Sequence, residues 1–180
     1  MRRRTFDLLM SCAGAVVTVA LLLLGVLALV GANFAKDNVR ENLEPQKIFF
    51  PSEQALTQEG ITDKAILDHS GEQVVDGYQA NVYSDYINIH LQEVNNGKTY
   101  SETSTEARAN PQDLALQAKV QTLFRGETLR AILLNAYGWW FVADVVMWAG
   151  IGLLVLAAIM LVLTVLGFLH LRRTPSTEEI

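Results

Sequence analysis

Residues 8–35 read LLMSCAGAVVTVALLLLGVLALVGANFA, and residues 145–169 read VVMWAGIGLLVLAAIMLVLTVLGFL. These runs of 28 and 25 residues hold no Asp, Glu, Lys or Arg. A bilayer core of about 30 Å needs about 20 apolar residues in a helix, so each run is long enough to cross one. In hydrocarbon a lone segment must pair its own backbone groups, and only a helix does that. The other 127 residues carry all 33 charged side chains, about a quarter of them, which is the charge density of an ordinary soluble domain. The 180-residue chain therefore reads as two span-length segments joined to a water-soluble middle. A plain cytosolic enzyme is excluded by this pattern.

Arg2, Arg3 and Arg4 precede the first run, and Arg172 and Arg173 follow the second. By the positive-inside rule both ends are expected to be cytoplasmic, in the plasma membrane, with the middle exported. That middle holds 9 Lys/Arg against 16 Asp/Glu. The apolar part of a signal peptide is about 7–15 residues long; the first run exceeds this, so an uncleaved anchor is expected. Tyr137, Trp139 and Trp140, with Trp148 just inside, are expected to anchor the outer interface, where amphipathic rings sit well. Cys12 is the only cysteine, so packing rather than a disulfide must hold the exported part.

The expected fold is mainly α, with two transmembrane helices flanking a small helical extracytoplasmic domain. The expected order is a cytoplasmic start (1–7), a first span (8–32), an extracytoplasmic helical domain (33–110), a membrane-proximal helix (111–144), a second span (145–169) and a cytoplasmic tail (170–180). Residues 36–130 contain 33 hydrophobic residues in 95, a lean supply for an independent core. Lys47 to Pro51 looks extended and is stopped by Pro51. Thr62–Asp68 predicts one short helix. Gly77–Val94 predicts a longer one, with Tyr78, Val82, Tyr86 and Ile89 repeating at helical steps and Asn95-Asn96-Gly97 ending it. Thr99 and Glu102 have capping-box spacing and start a third helix reaching Ala109. Asn110-Pro111 then offers a cap and a first-turn proline. From there no obligatory break appears before Arg172, and Leu116, Val120, Leu123 and Phe124 form an apolar stripe. Gly126 and Gly138 could bend this rod, but a lone glycine seldom ends a helix.

Candidate chemistry is sparse. His69 and His90 are 21 residues apart. A metal site would need both of them plus Asp85 or Glu93, without any His-x-x-x-His spacing. Ser70 lacks the flanking glycines of a nucleophile elbow. No phosphate-cradling glycine loop occurs, and the acidic middle has no basic patch for nucleic acid. No catalytic, metal or cofactor-binding residue is therefore assigned, and no cofactor is expected. Asp144 reads as the start of the outer interface rather than an ion site. Small residues at Gly14/Thr18, Ala28/Ala32 and around Gly150 and Ala157 suit helix association. Arg125, Glu127 and Arg130 form the densest charged patch near the second span and are the candidate partner-docking residues, with Glu127 and Arg130 able to pair along the helix.

Three motifs carry a resemblance. Gln46-Lys47-Ile48-Phe49-Phe50-Pro51, Leu123 to Arg130 with Leu133 to Tyr137, and Leu166-Gly167-Phe168-Leu169-His170 resemble a family of uncharacterised two-pass membrane proteins of actinobacteria. The resemblance implies the two-pass topology and brings no assigned activity, cofactor or catalytic residue. The function expected is a non-enzymatic accessory or scaffold subunit of the bacterial cell envelope. Its partners would be the lipid bilayer and a membrane protein or a second copy of the chain. The alternatives are an extracytoplasmic sensor or small-ligand module, with a pocket among Tyr78, Val82, Tyr86 and Ile89, and a homo-oligomeric pore.

Overall fold

The computed structural model describes residues 3–173, with side chains from Arg4 onward. The chain is mainly helical and, among the described residues, contains no strand. Among the described residues six α-helices follow one another: α1 (Arg3–Leu43), α2 (Glu53–Gln58), α3 (Lys64–Asp68), α4 (Gly77–Val94), α5 (Tyr100–Ala109) and α6 (Leu114–Arg173). Two of them, α1 and α6, are long and apolar enough to cross a membrane, with mean hydropathy 2.8 over the most apolar window of each. Only 11% of either window is buried, whereas the core helix of a soluble protein would be mostly covered.

The chain divides into two compact units, residues 1–34 with 143–180 and residues 35–142. In the first, α1 and α6 lie side by side and antiparallel. Cβ atoms built on Gly14 and Gly25 would meet Thr164 Oγ1 at 2.7 Å and Leu154 at 2.8 Å, and one on Gly167 would meet Ser11 Oγ at 2.8 Å. Residue numbers thus rise on one helix as they fall on the other. The buried residues recur every seven positions: Ser11, Thr18, Gly25 and Ala32 on α1, and Ala143, Gly150, Ala157 and Thr164 on α6. A seven-residue repeat keeps one stripe facing its partner in a left-handed supercoil. All eight side chains are small, so the backbones approach closely. A Cβ on Gly150 would lie 3.0 Å from Ala28 Cβ and 3.1 Å from Gly25 O. The small-residue pairs read from the sequence contribute Gly14, Thr18, Ala28 and Ala32 to this seam, but the working interval is seven rather than four.

The second unit has a conventional core. Val39, Leu43, Phe50, Leu56, Ile61, Ile66, Val74, Ala80, Leu133 and Trp140 form it. Caps set the short helices. Ser52 Oγ accepts from Ala55 N at the start of α2, Asp63 from Ala65 N at α3, and Asp76 from Gln79 N at α4. The capping box of Thr99 and Glu102 starts α5 as expected. Phe49 pairs with Gln73 in an isolated antiparallel bridge, through Phe50 N to Glu72 O and Val74 N to Ile48 O.

Helix α4 packs on α6 antiparallel, again at steps of seven. A Cβ on Gly77 would fall 2.2 Å from Trp140 Cβ, and one on Gly126 would fall 2.5 Å from Leu91 Cδ2. Between these contacts Arg130 Nε donates to Ser84 O at 3.2 Å.

Three expectations are corrected here. Helix α1 does not end with its apolar run but continues to Leu43, because Lys36 to Glu41 contain no helix breaker. Helix α6 starts at Leu114, not Pro111, with Asp113 Oδ1 accepting from Leu116 N as its cap. As expected, neither Gly126 nor Gly138 breaks α6; Gly126 makes room for Leu91. The fully buried face of α4 is Gly77, Ala80, Ser84 and Leu91, while Tyr78 of the expected stripe stays 48% exposed.

Candidate functional site

The charged patch on α6 does not stand out as a surface. Arg130 turns inward, its side chain 20% exposed, and its guanidinium links Glu127 Oε2 at 2.8 Å to the Ser84 carbonyl of α4. Its role is to join two helices. Glu127 is half-buried beside it, and only Arg125 of the three points freely outward. The helical i,i+3 pairing of Glu127 and Arg130 was legible in the sequence; the attachment to α4 was not.

The aromatic anchors also separate. Trp140 is a core residue at 9% exposure, set against Gly77, with Lys36 Nζ 5.0 Å from its ring centre. Gly77, having no side chain, leaves the space that Trp140 occupies. Trp139 and Trp148 are exposed, at 59% and 68%. Tyr137 is half-buried, its ring 5.9 Å from Tyr78 and 6.2 Å from Phe141. Arg4, Arg172 and Arg173 are exposed. Arg2, the Arg3 side chain and the tail after Arg173 lie outside the described residues.

The helix face opposite the packed seam carries Phe124, Ile132, Trp139 and Val142, each at least half exposed. A solvated helix normally presents polar groups there. In the sequence Leu116, Val120, Leu123 and Phe124 read as a single stripe, which does not separate the buried face from the exposed one. In the folded chain Leu123 is 2% exposed while Phe124, its neighbour, is 53% exposed.

The titratable groups cluster in two places. On one side His69 Nδ1 lies 2.7 Å from Glu72 Oε2, which also accepts from Gln79 Nε2 at 3.1 Å. The bond with His69, then that with Gln79, holds the Glu72 carboxyl below the usual range. The His69 ring stacks on Phe50 at 5.4 Å. On the other side Tyr86 OH donates to Glu59 Oε2 at 3.1 Å. Burial first, then the Glu59 carboxylate, pushes the Tyr86 phenol up to about 12. His90 packs edge-on to Tyr86 at 4.6 Å, with Nε2 3.6 Å from Glu59 and Nδ1 3.7 Å from Glu93. The two carboxylates therefore face opposite edges of the imidazole. They do not converge on a point where a metal could sit, and among the described residues no group of three His, Cys, Asp or Glu is arranged to hold one. Val82, Tyr86 and Ile89, among which the alternative sensor reading would need a pocket, pack against the core.

No family model, curated protein or solved structure matches the chain.

Proposed function

We propose that the chain is a non-enzymatic scaffold or accessory subunit of a bacterial plasma membrane, with both termini cytoplasmic and residues 35–142 outside. The observation that supports this reading is the exposed apolar face of α6 at Phe124, Ile132, Trp139 and Val142. The spans use their small residues on each other, so recognition falls to this outer face. Large apolar side chains exposed along one side of a water-facing helix support an interaction surface there. The resemblance to two-pass actinobacterial proteins supports the topology and rests on the motifs that carry it.

A photo-crosslinking residue at Phe124 or Ile132, in native membranes, is expected to trap one discrete membrane-protein adduct. The same residue at Glu53, exposed at the start of α2, is expected to trap none. Recovery of the uncrosslinked chain alone from both positions would remove the reading. Cysteine accessibility from the two sides of the membrane tests the orientation: labelling of a cysteine at Thr57 from the cytoplasmic side would reverse it.

A further inference from the structure

Helix α1 ends at Leu43, and a 3₁₀ turn carries the chain through Pro45 to Lys47. Lys47 adopts the left-handed backbone, with φ 53°, a region that costs a side chain with a Cβ. Its N–H closes the turn on Glu44 O at 3.2 Å. This reversal brings the extended segment after it back beside the end of α1, where Gln73 Nε2 donates to Glu44 O at 2.6 Å. Neighbouring residues in an extended segment point to opposite faces. Phe50 accordingly enters the core at 2% exposure, and Phe49 faces out at 53%.

The result is an open groove of about 670 Å³ lined by Glu41, Glu44, Pro45, Lys47, Phe49 and Gln73. That volume is in the range of small-ligand sites. Among the described residues, the Glu41 and Glu44 carboxylates and the Lys47 ammonium have no ion-pair partner, although Glu44 and Lys47 are only three residues apart. The closing carbonyls at the end of α1 add negative potential on the glutamate side. An exposed aromatic ring thus shares the groove with two acids, one base and a side-chain amide.

We propose that this groove binds a short peptide with free termini. The peptide's ammonium sits between Glu41 and Glu44, where the helix end also favours a cation. One of its side chains lies on the Phe49 ring, and its carboxylate meets Lys47. Gln73, whose amide nitrogen is engaged by Glu44 O, keeps its oxygen for a peptide N–H. The charges on the groove match a zwitterion and repel a dianion. This inference does not depend on the scaffold reading, since it concerns another face of the unit.

The test uses the full chain in nanodiscs and the tripeptide Ala-Leu-Ala, with its N-acetyl and C-amide forms, titrated by calorimetry and ligand-observed NMR. The free tripeptide is expected to bind saturably. N-acetylation is expected to weaken it about fivefold and C-amidation about threefold, as for exposed charge pairs. Phe49→Ala should weaken all forms about tenfold. Glu41→Gln with Glu44→Gln should abolish the effect of acetylation, and Lys47→Gln the effect of amidation, which is the signature of direct pairing. All four side chains are exposed, so unchanged helicity by circular dichroism is expected in each variant. Absence of saturable binding up to about 10 mM overturns the proposal. So does a Phe49→Ala chain that binds like the parent. Equal affinity for the free and acetylated forms removes the ammonium assignment, and equal affinity for the C-amide removes the zwitterion.

Discussion

Along α1 the buried residues of the first unit are Ser11, Thr18, Gly25 and Ala32, whereas in the second they are Val39 and Leu43. On α6 the first unit buries Ala143, Gly150, Ala157 and Thr164, and the second buries Leu123, Leu133 and Trp140. The seven-residue interval from Ser11 runs on to Val39, so the change is in side-chain size and not in periodicity. The difference matches the proposed surroundings of each unit. In water, burying a large apolar side chain contributes about 1.5–3 kcal/mol, so a lean domain selects its largest side chains for the core. Lipid offers no such drive, and helices gain from close contact of backbones, which only small residues permit. The large apolar residues of the first unit, such as Leu23, Leu27, Leu156 and Val162, are exposed instead.

The contrast can be broken most sharply in the second unit. Trp140→Ala is expected to destabilise it by about 3–5 kcal/mol, read as an earlier denaturation midpoint by circular dichroism. Gly77→Ala attacks the same contact from the other side, since its new Cβ would fall 2.2 Å from Trp140 Cβ. A cost of about 1–3 kcal/mol follows from overpacking. Unchanged midpoints in both would place Trp140 outside the core.

The small-residue seam gives the next effect. Ser11 Cβ lies 3.7 Å from a Cβ built on Gly167, within the range a disulfide requires. With Cys12→Ser as background, cysteines at Ser11 and Gly167 are expected to crosslink on oxidation. Adding Gly150→Leu should slow that crosslink about tenfold, equivalent to about 1.4 kcal/mol of lost packing. An undiminished rate would mean that Gly150 does not hold the pair together.

A smaller effect concerns a polar junction in the second unit. Asn95 is 2% exposed and donates to Lys98 O and to Thr103 Oγ1, both at 2.6 Å, beside the capping box of α5. Thr99→Ala is expected to cost about 1 kcal/mol, seen as faster amide exchange in Tyr100–Ala109 with α4 unaffected.

The smallest effects are titrations. Tyr86 is raised to about 12, chiefly by burial, so its neutral form is favoured by folding. That contribution is complete below the ordinary phenol value of about 10 and is lost as pH rises through about 12. Tyr86→Phe should remove this alkaline step from the unfolding profile. Glu102 is lowered, first by the bond from Thr99 N and then by that from the Thr99 hydroxyl. Its contribution is present above the ordinary carboxyl value and fades as pH falls through the lowered one. Glu102→Gln should flatten the acid limb of α5 exchange; an unaltered limb would place the stabilisation elsewhere.

Local signals account for what could be read in advance. Gly77–Val94 and Tyr100–Ala109 have the expected limits because caps and turn residues are encoded within four positions. Helix α2 was missed although Ser52-Glu53 is a start signal, because six residues show too little periodicity and Pro51 suggested only an ending. The expected face of α4 followed the larger apolar residues, yet Gly77, Ala80 and Ser84 are buried because their small size admits α6. Arg130 read as a docking residue because its partner, the Ser84 carbonyl, is 46 positions away.

By itself, the sequence determined that the chain has two span-length helices, that the part between them is helical and acidic, and that α6 need not break. Each of these depends on hydrophobicity, charge or capping, which act over a few neighbouring residues. Only the tertiary structure decided which of Trp139 and Trp140 turns inward, which residues of a charged patch stay free, and that Phe49 opens onto a groove while Phe50 is buried. Those outcomes depend on the shape of a distant surface, Gly77 for Trp140 and the end of α1 for Phe49, and no local pattern carries that shape.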